Sequence, residues 1–527
     1  MTKPRLMFDH DSRHTLIYLY EPPIYKDQIE AAVDELAGTP VDALMWTLGE
    51  GRTMLHNTKV GEQWGHNVEK WPHHVFHRAH RNLQKLIAEG NDPLDVICKK
   101  AHEKGMLLYP NLILNQGYSP PGGDPRSSNF RFENRHLEIG FNKDMDESLP
   151  GKTYLDFKHQ EVRDERFAII NEVLENYPVD GFELNFNVFA PVFFHPSEAE
   201  DGRKIMTEWV RKVYETVKKS GSNRELAVCI PADIDRALAA GLDPQEWISQ
   251  GIVDVVIGQQ FSIAGPPDST ANFRPLIEAS ENTNCRIHGA ISSQLMSDRM
   301  QLPSIEMVRA IASNYYMQGV DGLYLAHWFA YWPYRPEFYE ILRELPHPDI
   351  IAPKDKIYFV PTESQIPVNE SSYGKIEKQL PAALKVGQTV TTNFDVSDDL
   401  EHWDGMDRVH EVLLRIRVVG YTEENVLQFT LNGNSLQVTR EINKMYMMSS
   451  PRYRIGGQWF IFKLDKINWP KQGKNILETT LTYVDPDILG NCSVRDIELD
   501  IKYLRGKNFE RGGLVDTDVG PYEISTT

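Results

Sequence analysis

The residues best suited to chemistry gather around one segment, Val179-Asp180-Gly181-Phe182-Glu183-Leu184-Asn185-Phe186-Asn187. Side chains alternate across a strand. Phe182, Leu184 and Phe186 therefore share one face, and Glu183, Asn185 and Asn187 share the other. Burying a carboxylate costs several kcal/mol unless it is paired or hydrogen-bonded. Partial desolvation raises its pKa, which suits a general acid. Amides supply both a donor and an acceptor, as the hydroxyls of a polyol require. Asn111, Asn115 and Gln116, with Gln259 and Gln260, extend the amide set at the ends of two other apolar runs. His288 and His327 are further acid/base or hydrogen-bonding candidates. The competing reading makes Glu183 a structural carboxylate held by a tyrosine, arginine or backbone amide, and the histidines satisfied core residues.

Cleavage of a glycosidic bond commonly uses two carboxyl groups. Glu183 has no obvious twin, and the candidates are Glu50, Asp233, Asp235 and Glu21. Trp46, Trp328, Phe329, Tyr331, Trp332 and Tyr334 could stack on the apolar faces of sugar rings or simply close a core. The stretch after Leu48 carries Glu50, Arg52, Lys59 and Trp64 and reads as a lid. It also holds His56, His66, His73, His74, His77 and His80. No Cys or carboxylate completes a ligand set there and no HExxH occurs, so no metal is assigned and no cofactor is expected. Arg126, Arg131 and Arg135 in the loop Asn115–Lys158 are available for an anionic group on a substrate.

The elements that must position these residues follow from periodicity. Over the first ~350 residues, apolar runs alternate with helical patterns. The strand candidates are Thr15–Tyr20, Val41–Leu48, Met106–Ile113, Gly181–Asn187, Glu225–Pro231, Val253–Gln259, Cys285–Ile291 and Gly322–His327. Eight strand–helix units predict an α/β fold of the (β/α)8 TIM-barrel type, over residues 1–350. Val41-Asp42, Val179-Asp180, Val253-Asp254 and Val320-Asp321 open every second strand. Their aspartates are expected to be structural, on the face opposite the active site. Carrying the phase of Glu183 through this repeat places Leu44 and Trp46, Val256 and Gly258, and Tyr324 and Ala326 inward. From Lys356 onward the period becomes two, with β-branched and aromatic runs bounded by turn clusters. Residues 351–527 are therefore expected to form an all-β, jelly-roll-like sandwich with a polar tail after Gly506.

The chain has 527 residues, 41% hydrophobic and 25% charged, too many for one core at ~150 residues per domain. Its net charge of −19 disfavours nucleic acid and anionic membrane as partners. No stretch approaches the ~20 apolar residues of a membrane span, and no apolar leader opens the sequence. Four scattered cysteines read as reduced, buried thiols. These features predict a cytoplasmic protein, and self-association into a homo-oligomer is compatible with them.

VDGFELNFNVF, with its preceding helix and the Phe193–His195 continuation, resembles the Val-Asp-Gly-aliphatic-Glu-Leu-Asp-aromatic motif of glycoside-hydrolase-like barrels, the family-10-like hydrolases of bacterial carbohydrate-use clusters. In layout the resemblance covers residues 10–345, and it is specific around 179–187. It implies a catalytic or sugar-binding carboxylate at Glu183. Asn185 stands where the related motif often has aspartate, which removes one carboxylate. The resemblance also implies an accessory β-domain after the barrel. The expected function is hydrolysis of a small sugar, oligosaccharide or glycoside, with Glu183 as acid/base. Glu50, His288 and Asp233 are the other catalytic candidates. Trp46, Asn111, Asn115, Asn185, Asn187, Gln259, Gln260, His327, Trp328 and Arg52 are the binding candidates. The alternatives are a sugar lyase, epimerase or isomerase using Glu183 with a histidine, and a catalytically silent sugar-binding protein.

Overall fold

The computed structural model describes residues 3–115, 124–145, 151–187, 191–260, 268–293, 303–331, 334–362, 379–443, 457–488, 490–505, 515–516 and 520–521. Gln116, Trp332, the side chain of Tyr331 and most of the tail after Gly506 lie outside them. The chain divides into two compact units. Among the described residues the first takes those up to 293 and 318–346, and the second takes 303–317, 347–362 and those from 379 onward.

The first unit contains a closed parallel barrel. Its strands are β1 (Leu6–His10), β2 (Ala43–Glu50), β3 (Leu107–Ile113), β4 (Gly181–Asn185), β5 (Glu225–Pro231), β6 (Val255–Gln259), β7 (Arg286–Ser292) and β8 (Gly322–Ala326). Each pairs in parallel with the next, and β8 pairs with β1 to close the ring. Seven strands fall where the hydrophobic pattern puts them. The first does not: Thr15–Leu19 forms a π-helical turn, and the strand is Leu6–His10. The β-branched and aromatic run TLIYLY imitates a strand, but the carbonyls of Leu16 and Tyr20 are taken by the buried amide of Asn82 on the helix His74–Ala88. The true strand carries Asp9 and His10, which look like a polar terminus when the sequence is read alone.

The recurring Val-Asp pair has a physical explanation. Asp42 accepts the backbone N–H of Leu6, Asp180 that of Leu108, Asp254 that of Leu226 and Asp321 that of Ile287, at 2.7–3.1 Å. Each carboxylate thus caps the first turn-in of the preceding odd strand. A donor that the parallel ladder leaves over at the barrel floor is satisfied. The cap also fixes the register. Three residues after each aspartate, the side chain points to the axis: Met45, Glu183, Ile257 and Tyr324. Met45, Ile257 and Tyr324 join the inner apolar cluster, and Tyr324 bonds to Glu183. Tyr324 and Ala326 are inward as expected. Leu44, Trp46, Val256 and Gly258 are not, and Met45, Thr47, Ile257 and Gln259 take those places. Counting one residue short from the aspartate reverses every side chain on a strand.

The second unit is a β-sandwich. One antiparallel sheet has the order β9 (Lys356–Phe359), β16 (Ser493–Tyr503), β11 (Val409–Val419), β14 (Gln458–Lys463) and β13 (Arg440–Asn443). The other is β10 (Thr389–Val396), β15 (Gly473–Tyr483) and β12 (Val426–Leu431), extended by Asn434–Ser435. Alternation is visible along β11, where Val412, Leu414, Ile416 and Val418 are buried, and these pack with Phe394, Phe429, Phe460, Leu477 and Leu499 into one core.

One polar knot interrupts that core. Asp398 accepts from Lys356 Nζ at 2.9 Å, from the Tyr503 hydroxyl at 2.7 Å and from the Tyr358 hydroxyl. Burial lowers the pKa of Lys356 against the pull of Asp398. Removing one member of a buried ion pair leaves an uncompensated charge, at a cost of about 3–5 kcal/mol. Asp398→Ala is therefore expected to lose that much stability by denaturant titration of the full chain. A loss under about 1 kcal/mol would mean that water reaches Lys356.

Candidate active site

The Gly-x-Glu-x-Asn pattern of β4 is set from the floor upward. A Cβ at Gly181 would stand 2.9 Å from the Tyr109 ring and 2.6 Å from the Glu225 carbonyl. At Gly322 it would stand 2.7 Å from the His288 ring. The two near-copies VDGFEL and VDGLYL thus carry glycine because Tyr109 and His288 fill the inner floor beside them. Above that floor, the next inward positions are Glu183 on β4 and Tyr324 on β8.

Glu183 is fully buried. Its Oε1 accepts from the Tyr324 hydroxyl and from Asn185 Nδ2, each at 3.2 Å, and Oε2 lies 3.3 Å from the same hydroxyl. Asn111, on the neighbouring strand β3 and directly opposite in register, flanks the carboxyl. The second carboxyl is Asp9 on β1, 1% exposed. Asp9 Oδ2 accepts the backbone N–H of His327 at 3.2 Å. Burial, then the proximity of Asp9, pushes the pKa of Glu183 well above the carboxylate range. Burial pushes Asp9 up to about 7, against the His327 N–H and with help from Asp11. Burial and then both carboxyls raise the Tyr324 phenol. Cys229 faces the same interior and is raised by burial, then by Glu183 and Asp9. Both carboxyls are thus raised by burial, and Tyr324 is hydrogen-bonded to Glu183.

An amide belt lies on this pair. Asn185 Oδ1 accepts the Asn187 N–H at 3.0 Å, Asn187 Nδ2 donates to the Gln259 carbonyl at 3.2 Å, and Gln259 Nε2 donates to Ser292 Oγ at 3.3 Å. The exit of β1 carries charge. Arg13 pairs with Asp11 at 3.3 Å and with Glu50. Burial works against the Asp11 carboxylate, but Arg13, His10 and His327 bring its pKa below the usual value. His10 stacks on Trp46 with ring centroids 4.7 Å apart, and burial lowers its pKa to about 3. His327 has a left-handed backbone, φ 65°, which turns its N–H back onto Asp9. Such a conformation in a non-glycine residue is stored strain, tolerated where surrounding contacts fix it; the Ser293 hydroxyl holds the His327 carbonyl at 2.8 Å.

The structure brings together Glu183, Asn111, Asn185, Asn187 and Gln259, and sets the His327 backbone against Asp9. Other candidates stand elsewhere. Glu50 is bound to Arg13. Asp233 is exposed and caps the helix Ile234–Ala239 through the Arg236 N–H. His288 is a floor residue one inward position below Ala290, with its pKa lowered to about 3 by burial. Arg52 is tied to Glu62 at 3.2 Å and Glu165 at 3.3 Å. Asn115 Nδ2 donates to the Val192 carbonyl, and the Gln260 carbonyl accepts from Arg236. Trp46 and Trp328 are buried; Trp328 donates to the Ile291 carbonyl and packs near Phe338. His77 and His80 pack around Trp71, and His73 caps its helix. Among the described residues, no three His, Cys, Asp or Glu side chains converge to hold a metal ion, and no helix is long and apolar enough to cross a membrane. All four cysteines are buried and free.

Asp9 and the role of Tyr324 escape the sequence reading. The signal for Asp9 was available: a strand must precede the helix Lys26–Asp34 for β2 to close a parallel barrel, and in LMFDH the inward alternation puts Asp9 with Met7.

No family model matches the chain, and no curated protein matches it. Solved structures match it in layout. An endo-beta-1,4-mannanase from Thermotoga petrophila is 11% identical over 94% of this chain and 98% of its own, with a TM-score of 0.42. The PgaB (BpsB) glycoside hydrolase domain from Bordetella bronchiseptica is 12% identical, over 65% and 98%, with a TM-score of 0.40. An alpha-amylase from Lactobacillus plantarum is 10% identical, over 91% and 99%, with a TM-score of 0.39.

Proposed function

We propose that this chain is a carbohydrate-active enzyme, a glycoside hydrolase that acts on a small sugar, oligosaccharide or glycoside. The observation that carries the proposal is the buried pair Asp9 and Glu183, inward-facing on β1 and β4, with Tyr324 hydrogen-bonded to Glu183. Environments that split two carboxyl groups in acidity assign an acid and a base. Glu183, whose pKa is raised by burial and by the nearby Asp9, delivers its proton to the glycosidic oxygen as the bond breaks. Asp9, titrating near 7, takes a proton from the attacking water. Asn111 and the belt of Asn185, Asn187 and Gln259 offer donors and acceptors for sugar hydroxyls. Membership of the family-10-like hydrolases is part of the proposal and rests on the motif at 179–187 alone.

The test is a panel of glycosides and oligosaccharides incubated with the purified protein and read by mass. Products that together gain one water are expected. Activity should rise as pH passes through about 7, where Asp9 ionises, and fall again at the higher pH where Glu183 loses its proton. Products formed by loss of water, or isomers of unchanged mass, would replace hydrolysis by elimination or isomerisation.

A further inference from the structure

Asp9 is held by a backbone donor from beyond the end of a strand ladder. The pairing of β1 with β8 runs from Leu6 opposite Leu323 to Phe8 opposite Leu325 and stops there. Past that point the His327 N–H goes to the Asp9 side chain, with Oδ2 at 3.2 Å. On the other side of the same residue, the His327 carbonyl accepts from the Ser293 hydroxyl at 2.8 Å, and Ser293 is fully buried at the exit of β7. The next residue is gripped from the same strand, where the Ile291 carbonyl accepts from Trp328 Nε1 at 2.8 Å. With its N–H and its carbonyl both fixed, His327 joins them through φ 65°. A β-branched residue avoids that conformation and glycine takes it freely. The imidazole has no part in these bonds. Its Nδ1 is buried without a hydrogen-bond partner among the described residues, and the ring packs on Phe329 with centroids 4.5 Å apart.

We propose that Ser293 and the His327 peptide form a clamp that aims a backbone N–H at Asp9 and favours its ionised form, the form that can accept a proton. Ser293 is then a positioning residue of the site, acting on Asp9 through the peptide it holds. Its place in catalysis rests on the hydrolytic reading, but the clamp itself does not. A hydrogen bond to the charged form of a carboxylate favours that form, and this one opposes the burial that raises Asp9. The other titratable and charged groups about Asp9 are Glu183 on β4, Tyr324 on β8, Cys229 on β5, and Asp11 and Arg13 beyond β1. Met45, opposite Asp9 on β2, brings no charge, and His10 and His14 bear on Asp11. All of these groups stay in place when residue 293 or 327 is changed, so a changed titration of Asp9 reports the clamp.

Aspartate-selective carbon-13 labelling of the full chain reads Asp9 directly, its carboxyl signal identified by its absence from Asp9→Asn. In wild type it should titrate at about 7. Ser293→Ala and His327→Val should each move that midpoint up by about one to two pH units, the share of a hydrogen bond to a charged group. His327→Gly deletes the imidazole but takes the left-handed backbone without strain, so its Asp9 should titrate as in wild type. An unmoved midpoint in Ser293→Ala would overturn the clamp. So would a shift in His327→Gly as large as that in His327→Val, because the ring and not the peptide would then be at work. If the valine variant does not fold, Ser293→Ala against His327→Gly carries the same test. The acidic limb of glycoside cleavage should move with the midpoint. A moved midpoint in a protein that cleaves no glycoside would keep the clamp and sink the hydrolytic reading, whereas cleavage with an unmoved midpoint would sink the clamp alone.

Discussion

Glu183→Gln should lower turnover of alkyl glycosides by about 10²–10⁴, the usual contribution of a positioned general acid. The variant is expected to fold, because glutamine is nearly isosteric and its carbonyl can accept from Tyr324 and Asn185 as Glu183 does. The loss should depend on the leaving group. A nitrophenyl glycoside departs without a proton, so its cleavage should be spared relative to an alkyl glycoside. A uniform loss across leaving groups would take Glu183 out of the acid's role and leave it a structural carboxyl.

Asp9→Asn should abolish water activation with a similar loss, about 10²–10⁴, while making the protein more stable above neutral pH. The sign follows from proton linkage. The folded-state pKa of Asp9 is raised from 3.8 to about 7, so the unfolded chain binds fewer protons in that window. Stability attributable to Asp9 is therefore intact below the lower value, falls as pH rises through the window, and stays low above it. The penalty at pH 8 is on the order of 4 kcal/mol. Asparagine is neutral at every pH and does not carry it. Denaturant midpoints of the two proteins should converge near pH 4 and separate by pH 8, with the variant the more stable. Parallel curves would mean that Asp9 ionises freely in the folded protein. A functional group that destabilises its own fold is a common bargain at active sites.

The legible part of this fold is the part governed by apolar period. Seven barrel strands, the main helices and the sandwich strands all bury one face or both, and burial imposes a pattern that sequence records. Glu183 was legible for the same reason, as a charge at an inward position between Phe182 and Leu184. Asp9 was not, because β1 has only five residues and half of its inward face is polar. A strand whose job is partly chemical loses the alternation that would reveal it. Trp46 and Trp328 misled in the opposite way. Aromatic residues near strand ends suggest sugar platforms, yet both indoles are buried, one on His10 and one hydrogen-bonded to the Ile291 carbonyl. Glu50 and Arg52 stand at the exit of β2, but Arg13, which holds Glu50, and Glu165, which with the nearby Glu62 holds Arg52, come from distant segments. Pairing of that kind depends on tertiary register, which local sequence does not encode.

The most direct measurement is infrared difference spectroscopy of the carboxyl stretch at neutral pH, wild type against Glu183→Gln. Because side chain 183 sits desolvated beside a second carboxyl, wild type should show a stronger band of protonated, water-shielded acid than the variant, in which Asp9, titrating near 7, still contributes. The same band in both proteins, or none in either, would mean that Glu183 is ionised in the folded state. It would then have no proton to give, and the assignment of acid and base in this barrel would fail.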